Sequence, residues 1–128
     1  MSTSQFLSQA LLDWALGGAT PTRPSARFVG LANGTPSSIA ASELTIAGYT
    51  RQTITFGAAS TPTSSGSVTC KALFTFSFGA AATAVGIQLW DASAAGNMLY
   101  YGLLSASSIM SSGDILSFAS AGFAVRIL

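Results

Sequence analysis

The stretch from Trp90 to Asn97 holds the residues most able to do chemistry. Asp91, Ser93 and Asn97 put a carboxylate, a hydroxyl and a side-chain amide at i, i+2 and i+6, all oxygen donors that a hard cation accepts. Yet Ala94 and Ala95 occupy the positions between them, and such a cation wants six to eight oxygens and usually more than one carboxylate. The stretch reads better as a turn. Gly96-Asn97 forms a left-handed pair that returns the chain into Met98-Leu99-Tyr100-Tyr101, with Asp91 capping it through its carboxylate.

The other carboxylates lead no nearer to a reaction. Asp13 falls in a helical stretch, Glu43 in a loop and Asp114 in the turn SSGD, where an Asp bonds neighbouring backbone N–H groups. No spacing brings two of them together for acid–base work. Glu43 and Arg51 flank a short glycine-containing bend, in which an arginine fork could meet the carboxylate and pin the loop to the strand, or reach a neighbouring subunit. The chain has many serines but no histidine, so a Ser-His-Asp triad is excluded. Lys71 is the one lysine, and nothing around it suggests a Ser-Lys dyad. Cys70 is the one cysteine; it lies in an alternating run and reads as a small buried thiol, with no intrachain disulfide or cysteine-rich zinc site available. The expectation is no enzyme, no metal and no cofactor.

These side chains need elements to hold them. Phe6, Leu7, Ala10, Leu11, Trp14 and Ala15 recur at helical spacing, with Ser2, Thr3 or Ser4 to cap the start and Gly17-Gly18 to stop it. A helix this short is marginal alone, so its apolar face must dock on its own sheet or on a neighbouring subunit. After the connector ATPTRPSA the period changes to two. Strands are expected at Arg27–Leu31, Tyr49–Phe56, up to Phe78 in VTCKALFTFSF, and at Ala84–Trp90, Met98–Leu104, Ile115–Phe118 and Phe123–Ile127. ANGTPSSIAASE reads as a turn-rich loop and GAASTPTSSGS, residues 57–67, as a polar surface loop. Phe74, Phe76 and Phe78 share one face as half of a core; without a basic groove they make no stacking platform for bases. Short strands between Gly/Ser/Thr loops predict an all-β fold, an antiparallel β-sandwich or jelly-roll-like barrel with a short N-terminal α-helix. Residues 1–128 read as one β-rich domain, with 1–18 as a docking arm and 19–128 as the sandwich.

Composition narrows the partners. Only 7% of the 128 residues are charged and the formal net charge is +1, which leaves no footprint for nucleic acid or an anionic membrane. So few charges do little to keep copies apart, so the surface reads as one to be covered by copies of itself or by another protein. No run of about 18 apolar residues is present to span a bilayer, and MSTSQFLSQALLDWALGG lacks the basic start of a signal peptide. A soluble chain made in the host cytoplasm is expected.

Three motifs in order carry a family resemblance. They are Glu43-x4-Gly48-Tyr49-x-Arg51-Gln52-x3-Phe56, then Trp90-Asp91-Ala92 with Gly96-Asn97-x-Leu99-x-Tyr101-Gly102, then Ser112-Gly113-Asp114-x-Leu116-x-Phe118. With the helical start ending in Gly-Gly, the chain resembles small tailed-bacteriophage virion proteins of tail-fibre-like or capsid-decoration type. Where relatives carry Trp-Gly before the strand that leads to the Asp, this chain has Ala84-Val85-Gly86. The resemblance implies a β-rich structural protein of the virion without enzymatic activity.

Two functions follow as expectations. The first is a capsid decoration or cement protein, a homotrimer that binds and stabilises the major capsid shell. The second is a small tail-fibre or spike protein contacting the host surface, with Trp90 and Tyr100-Tyr101 stacking on sugars. The residues expected to carry assembly or structure are Phe6, Leu11, Trp14, Glu43, Tyr49, Arg51, Trp90, Asp91, Gly96, Asn97 and Tyr101.

Overall fold

The computed structural model of the chain describes residues 1–58, 66–120 and 124–127. In chain order the elements are β1 (Ser2–Thr3), α1 (Gln5–Leu16), β2 (Phe28–Ala32), β3 (Gln52–Thr53) and β4 (Gly66–Thr69). Then come β5 (Phe74–Ser77), β6 (Ala82–Trp90), β7 (Met98–Met110), β8 (Ile115–Phe118) and β9 (Ala124–Ile127). Most of the polar loop expected over residues 57–67, and Phe123 of the last expected strand, lie outside the described residues.

Every strand pairing is antiparallel. One sheet runs β1-β7-β6-β2-β3, and two further pairs are β4-β9 and β5-β8. All three share one core, in which Val29 and Leu31 of β2, Phe76 of β5, Ile87 and Leu89 of β6, and Val125 of β9 are buried together. Phe74 stacks on Phe118 at 5.0 Å while Phe76 meets Phe118 edge-on at 6.2 Å, the two favourable geometries for aromatic pairs. The phenylalanine run is thus core, as its alternation predicts. The fold is all-β with one short helix; no sheet closes on itself among the described residues.

The expected strand Tyr49–Phe56 shrinks to Gln52–Thr53 for a local reason. β2 pairs with β3 only at Phe28 and Val29. Beyond that point the edge of β2 is already taken, because Leu44 N donates to Leu31 O at 2.8 Å and Leu31 N donates to the Tyr49 hydroxyl at 2.8 Å. Conversely, β7 runs on to Met110, past the expected Leu104, and breaks register with β6 between the Gly86–Leu103 and Ala84–Ser108 pairs. Such an irregularity twists an edge strand away from flat pairing.

The helix matches its sequence signals. Ser4 is the N-cap, its Oγ accepting from Leu7 N at 3.1 Å, and Gly17 closes the C-terminus in the left-handed region at φ 89°. Its start is tied to the sheet. β1 pairs with Tyr100 and Tyr101, Ser4 N donates to Leu99 O at 2.9 Å, Ser4 Oγ donates to Met98 O, and Gln5 N donates to Ser38 O at 3.0 Å. Yet α1 buries none of its residues. Of the two docking alternatives, burial of the apolar stripe in the chain's own core is not what forms.

Candidate functional site

The most connected group of polar side chains sits where the Glu43–Arg51 segment meets the loop after β6. Arg51 is its centre. Its Nε and Nη2 donate to the two oxygens of Glu43, each at 2.7 Å, in a bidentate pair. Nη1 donates to the carbonyls of Ala92 at 2.8 Å and Ala95 at 2.7 Å. The guanidinium lies over the Trp90 ring, 3.7 Å from its centroid, a cation–π contact in which the planar arginine also stacks. The two ion-pair side chains are only 6% and 21% exposed.

Tyr49 extends this network to the sheet. Its hydroxyl donates to Glu43 Oε1 at 3.0 Å and accepts from Leu31 N, while its ring stacks on Phe76 at 5.9 Å. Burial pushes its phenol well above the ordinary value, and the Glu43 charge adds to that, against the Leu31 N–H and the Arg51 charge, which lower it. The phenol is therefore a proton-bearing donor throughout ordinary conditions.

The loop that Arg51 grips is itself closed by Asp91. One carboxylate oxygen accepts from Asn97 N at 2.7 Å, the other from Asn97 Nδ2 at 2.9 Å, and Asp91 N donates to Asn97 O at 3.1 Å. Ala95 and Gly96 turn through positive φ, 50° and 73°. With both oxygens of Asp91 committed to Asn97, the loop is a turn capped by Asp91 as expected, but its left-handed pair is Ala95-Gly96 rather than Gly96-Asn97, because Asn97 is held by Asp91 through both its backbone N–H and its side-chain amide. Asp114 does the same at the next hairpin, accepting from Ser111 N at 2.7 Å.

The structure thus brings Glu43, Tyr49, Arg51, Trp90, Asp91, Gly96 and Asn97 into one latch. Phe6, Leu11 and Trp14 lie apart from it on α1, with a shallow cleft of about 340 Å³ between Phe6 and the Trp90–Asn97 region. Tyr101 stands outside the latch, paired with Gln88 on one side and Ser2 on the other. Sugar stacking at Trp90 does not fit this arrangement. The residue is 9% exposed and Arg51 covers one ring face.

Two latch residues carry no charge and were not singled out in the sequence. A Cβ on Gly30 would come within 2.9 Å of both Glu43 Oε1 and the Tyr49 hydroxyl, so the latch can lie on β2 only because that position has no side chain. An isolated glycine inside the apolar run FVGLA is the signal for such close approach. Gln88, wholly buried in β6, accepts from Trp90 Nε1 at 3.3 Å and donates to Ala41 O. Its signal is a lone amide in an apolar strand, which must find partners.

Comparison with known proteins gives this architecture a family. The family model described as podophage GP4 fiber I protein gp80 matches residues 2–126. The chain belongs to that family. No curated protein matches it. The gp80 family model runs from β1 almost to the end of β9, so latch, helix and all three sheets lie within the matched region. The chain is a bacteriophage virion structural protein, the class that the three ordered motifs imply. No helix among the described residues is long and apolar enough to cross a membrane.

Proposed function

We propose that this chain is a non-enzymatic structural subunit of the phage fibre, assembled on the virion through copies of itself and neighbouring virion proteins. The observation that carries the reading is the match of residues 2–126 to a family described as a fibre protein. That description favours the fibre expectation over capsid decoration. The state of the polar groups supports a structural role. Glu43 is held by Arg51 and Tyr49, Asp91 by Asn97, and Asp114 by Ser111, so three of the four carboxylates serve to close loops. A catalytic carboxylate needs to face a substrate, and these face neighbouring side chains and backbone N–H groups of the chain itself.

Reconstruction of the phage particle tests the reading. The expected outcome is density for this chain in the tail fibres, at fibre copy number. Density spread over the capsid surface in hundreds of copies would overturn it and return the chain to a decoration role.

A further inference from the structure

The helix α1 exposes large apolar side chains on two sides and buries no residue. Phe6, Leu11 and Trp14 are 46%, 40% and 67% exposed, and Leu12 and Leu16, on the opposite side, are 58% and 80% exposed. A helix whose polar side, here Gln5, Ser8, Gln9 and Asp13, also exposes two leucines leaves apolar surface to be covered. This one is nevertheless held in a defined place, since Ser4, β1 and Gln5 tie its start to β7 and to Ser38.

Between α1, the 19–27 connector and the sheet lies an open groove of about 1170 Å³. Phe6, Leu11 and Trp14 form one wall and Leu89, Leu99 and Tyr100 lie at its base. A twelve-residue helix is about 18 Å long and about 10 Å across, or on the order of 1,400 Å³, so the groove is of the right size to take much of one more such helix. Charge points the same way. Asp13, Arg23, Arg27 and Asp91 line the groove, two of each sign, and Asp13, Arg23 and Arg27 have no ion-pair partner among the described residues. Asp13 is also the single charge that α1 carries. The groove's own unpaired charges are thus two guanidiniums and the Asp13 carboxylate, so a second α1 would bring a carboxylate for the remaining guanidinium, and leucines to an apolar base.

We infer that α1 of a second copy of this chain seats in the groove, with Leu12 and Leu16 leading and its Asp13 meeting Arg23 and Arg27. The face of α1 that lines its own groove and the face that points away then serve two different bodies, which accounts for Leu12 and Leu16 standing exposed on the side of its polar residues. Repeated around a closed symmetry, the same contact covers every copy's helix. The inference rests on the fibre reading in one respect, that several copies meet on the particle.

Sedimentation of the full-length protein tests it. The wild type should assemble, and L12E/L16E, altered only at exposed positions, should run as a monomer with the near-ultraviolet circular dichroism of the core unchanged. D13R alone and R23D/R27D alone should each self-associate about tenfold or more weakly, because each sets like charges together. Mixed in equal amounts, the two should form a joint assembly, because the D13R helix meets the reversed groove. A wild type that stays monomeric at high micromolar concentration overturns the inference, as does an L12E/L16E variant that assembles like the wild type, or a mixture that fails to assemble. Particle density outside the fibre would remove the functional reading and leave the sedimentation result standing.

Discussion

Arg51 does at the residue scale what a disulfide does in a secreted domain, joining two loops and a sheet edge that are distant in sequence. Its five donors suit the task, whereas a lysine would offer a point charge and no fork. Removing one member of a buried ion pair leaves the other uncompensated, which costs about 3 kcal/mol or more. Arg51→Ala should lower the unfolding free energy by that order, and a double-mutant cycle with Glu43→Ala in urea should return a coupling of about 1–3 kcal/mol. Additive losses would mean the two residues act separately. Tyr49 adds a pH dependence with a definite sign. Its folded pKa lies above the unfolded value near 10, so both states keep the proton below pH 10 and stability there does not depend on this group. Above that, the unfolded chain loses its proton first, and stability falls by at most about 1.4 kcal/mol per pH unit. Tyr100, also raised by burial, adds a slope of the same sign. Tyr49→Phe should therefore show a shallower alkaline arm in stability measured from pH 8 to 12; an unchanged arm would mean the phenol is not buried as described.

Among the elements, α1 was the most legible in sequence, because its apolar spacing, serine start and glycine stop are all local signals. β8 at Ile115–Phe118 and the core of β6 were legible as well, since alternation and turn residues bound them. What could not be read locally depends on distant partners. β1 is two residues long and exists only because Tyr100 and Tyr101 offer it an edge. β3 lost most of its expected length because a tyrosine hydroxyl and the Leu44 backbone took the edge it would have used. The latch was half legible: Glu43–Arg51 and Asp91–Asn97 each stood out as a pair. Their union, 41 residues apart at the Arg51–Ala92 bond, is a property of the sheet order. The same non-local logic governs the helix start. Ser4 caps α1 and also bonds Met98 on β7, so Ser4→Ala should cost more than an ordinary exposed cap, about 2 kcal/mol rather than 1. The check is loss of helical signal at 222 nm, fitted against the stability change; a loss no larger than for an isolated cap would show that the β7 bond contributes nothing.

The whole molecule carries few charges and a mean hydropathy of +0.54, and it spends its one described ion pair on holding loops down. Its exposed large apolar residues are concentrated on α1, with others such as Ile39, Leu103, Ile109 and Ile115 on the body. In the proposed assembly this apolar surface is covered by protein, and a contact that covers it must contribute to stability by mass action. The melting temperature should therefore rise with protein concentration, by about 4 °C for each tenfold increase, since a tenfold change in free partner is worth about 1.4 kcal/mol and a domain of this size gains a few degrees per kcal/mol. Calorimetry over a hundredfold range of concentration provides the measurement. A melting temperature independent of concentration would mean that the β body closes its own stability and the apolar helix adds none. The L12E/L16E variant separates the sources of the effect: if the concentration dependence disappears in it while the dilute-limit melting temperature stays, the stabilising contact runs through α1 and not through the edge of β7.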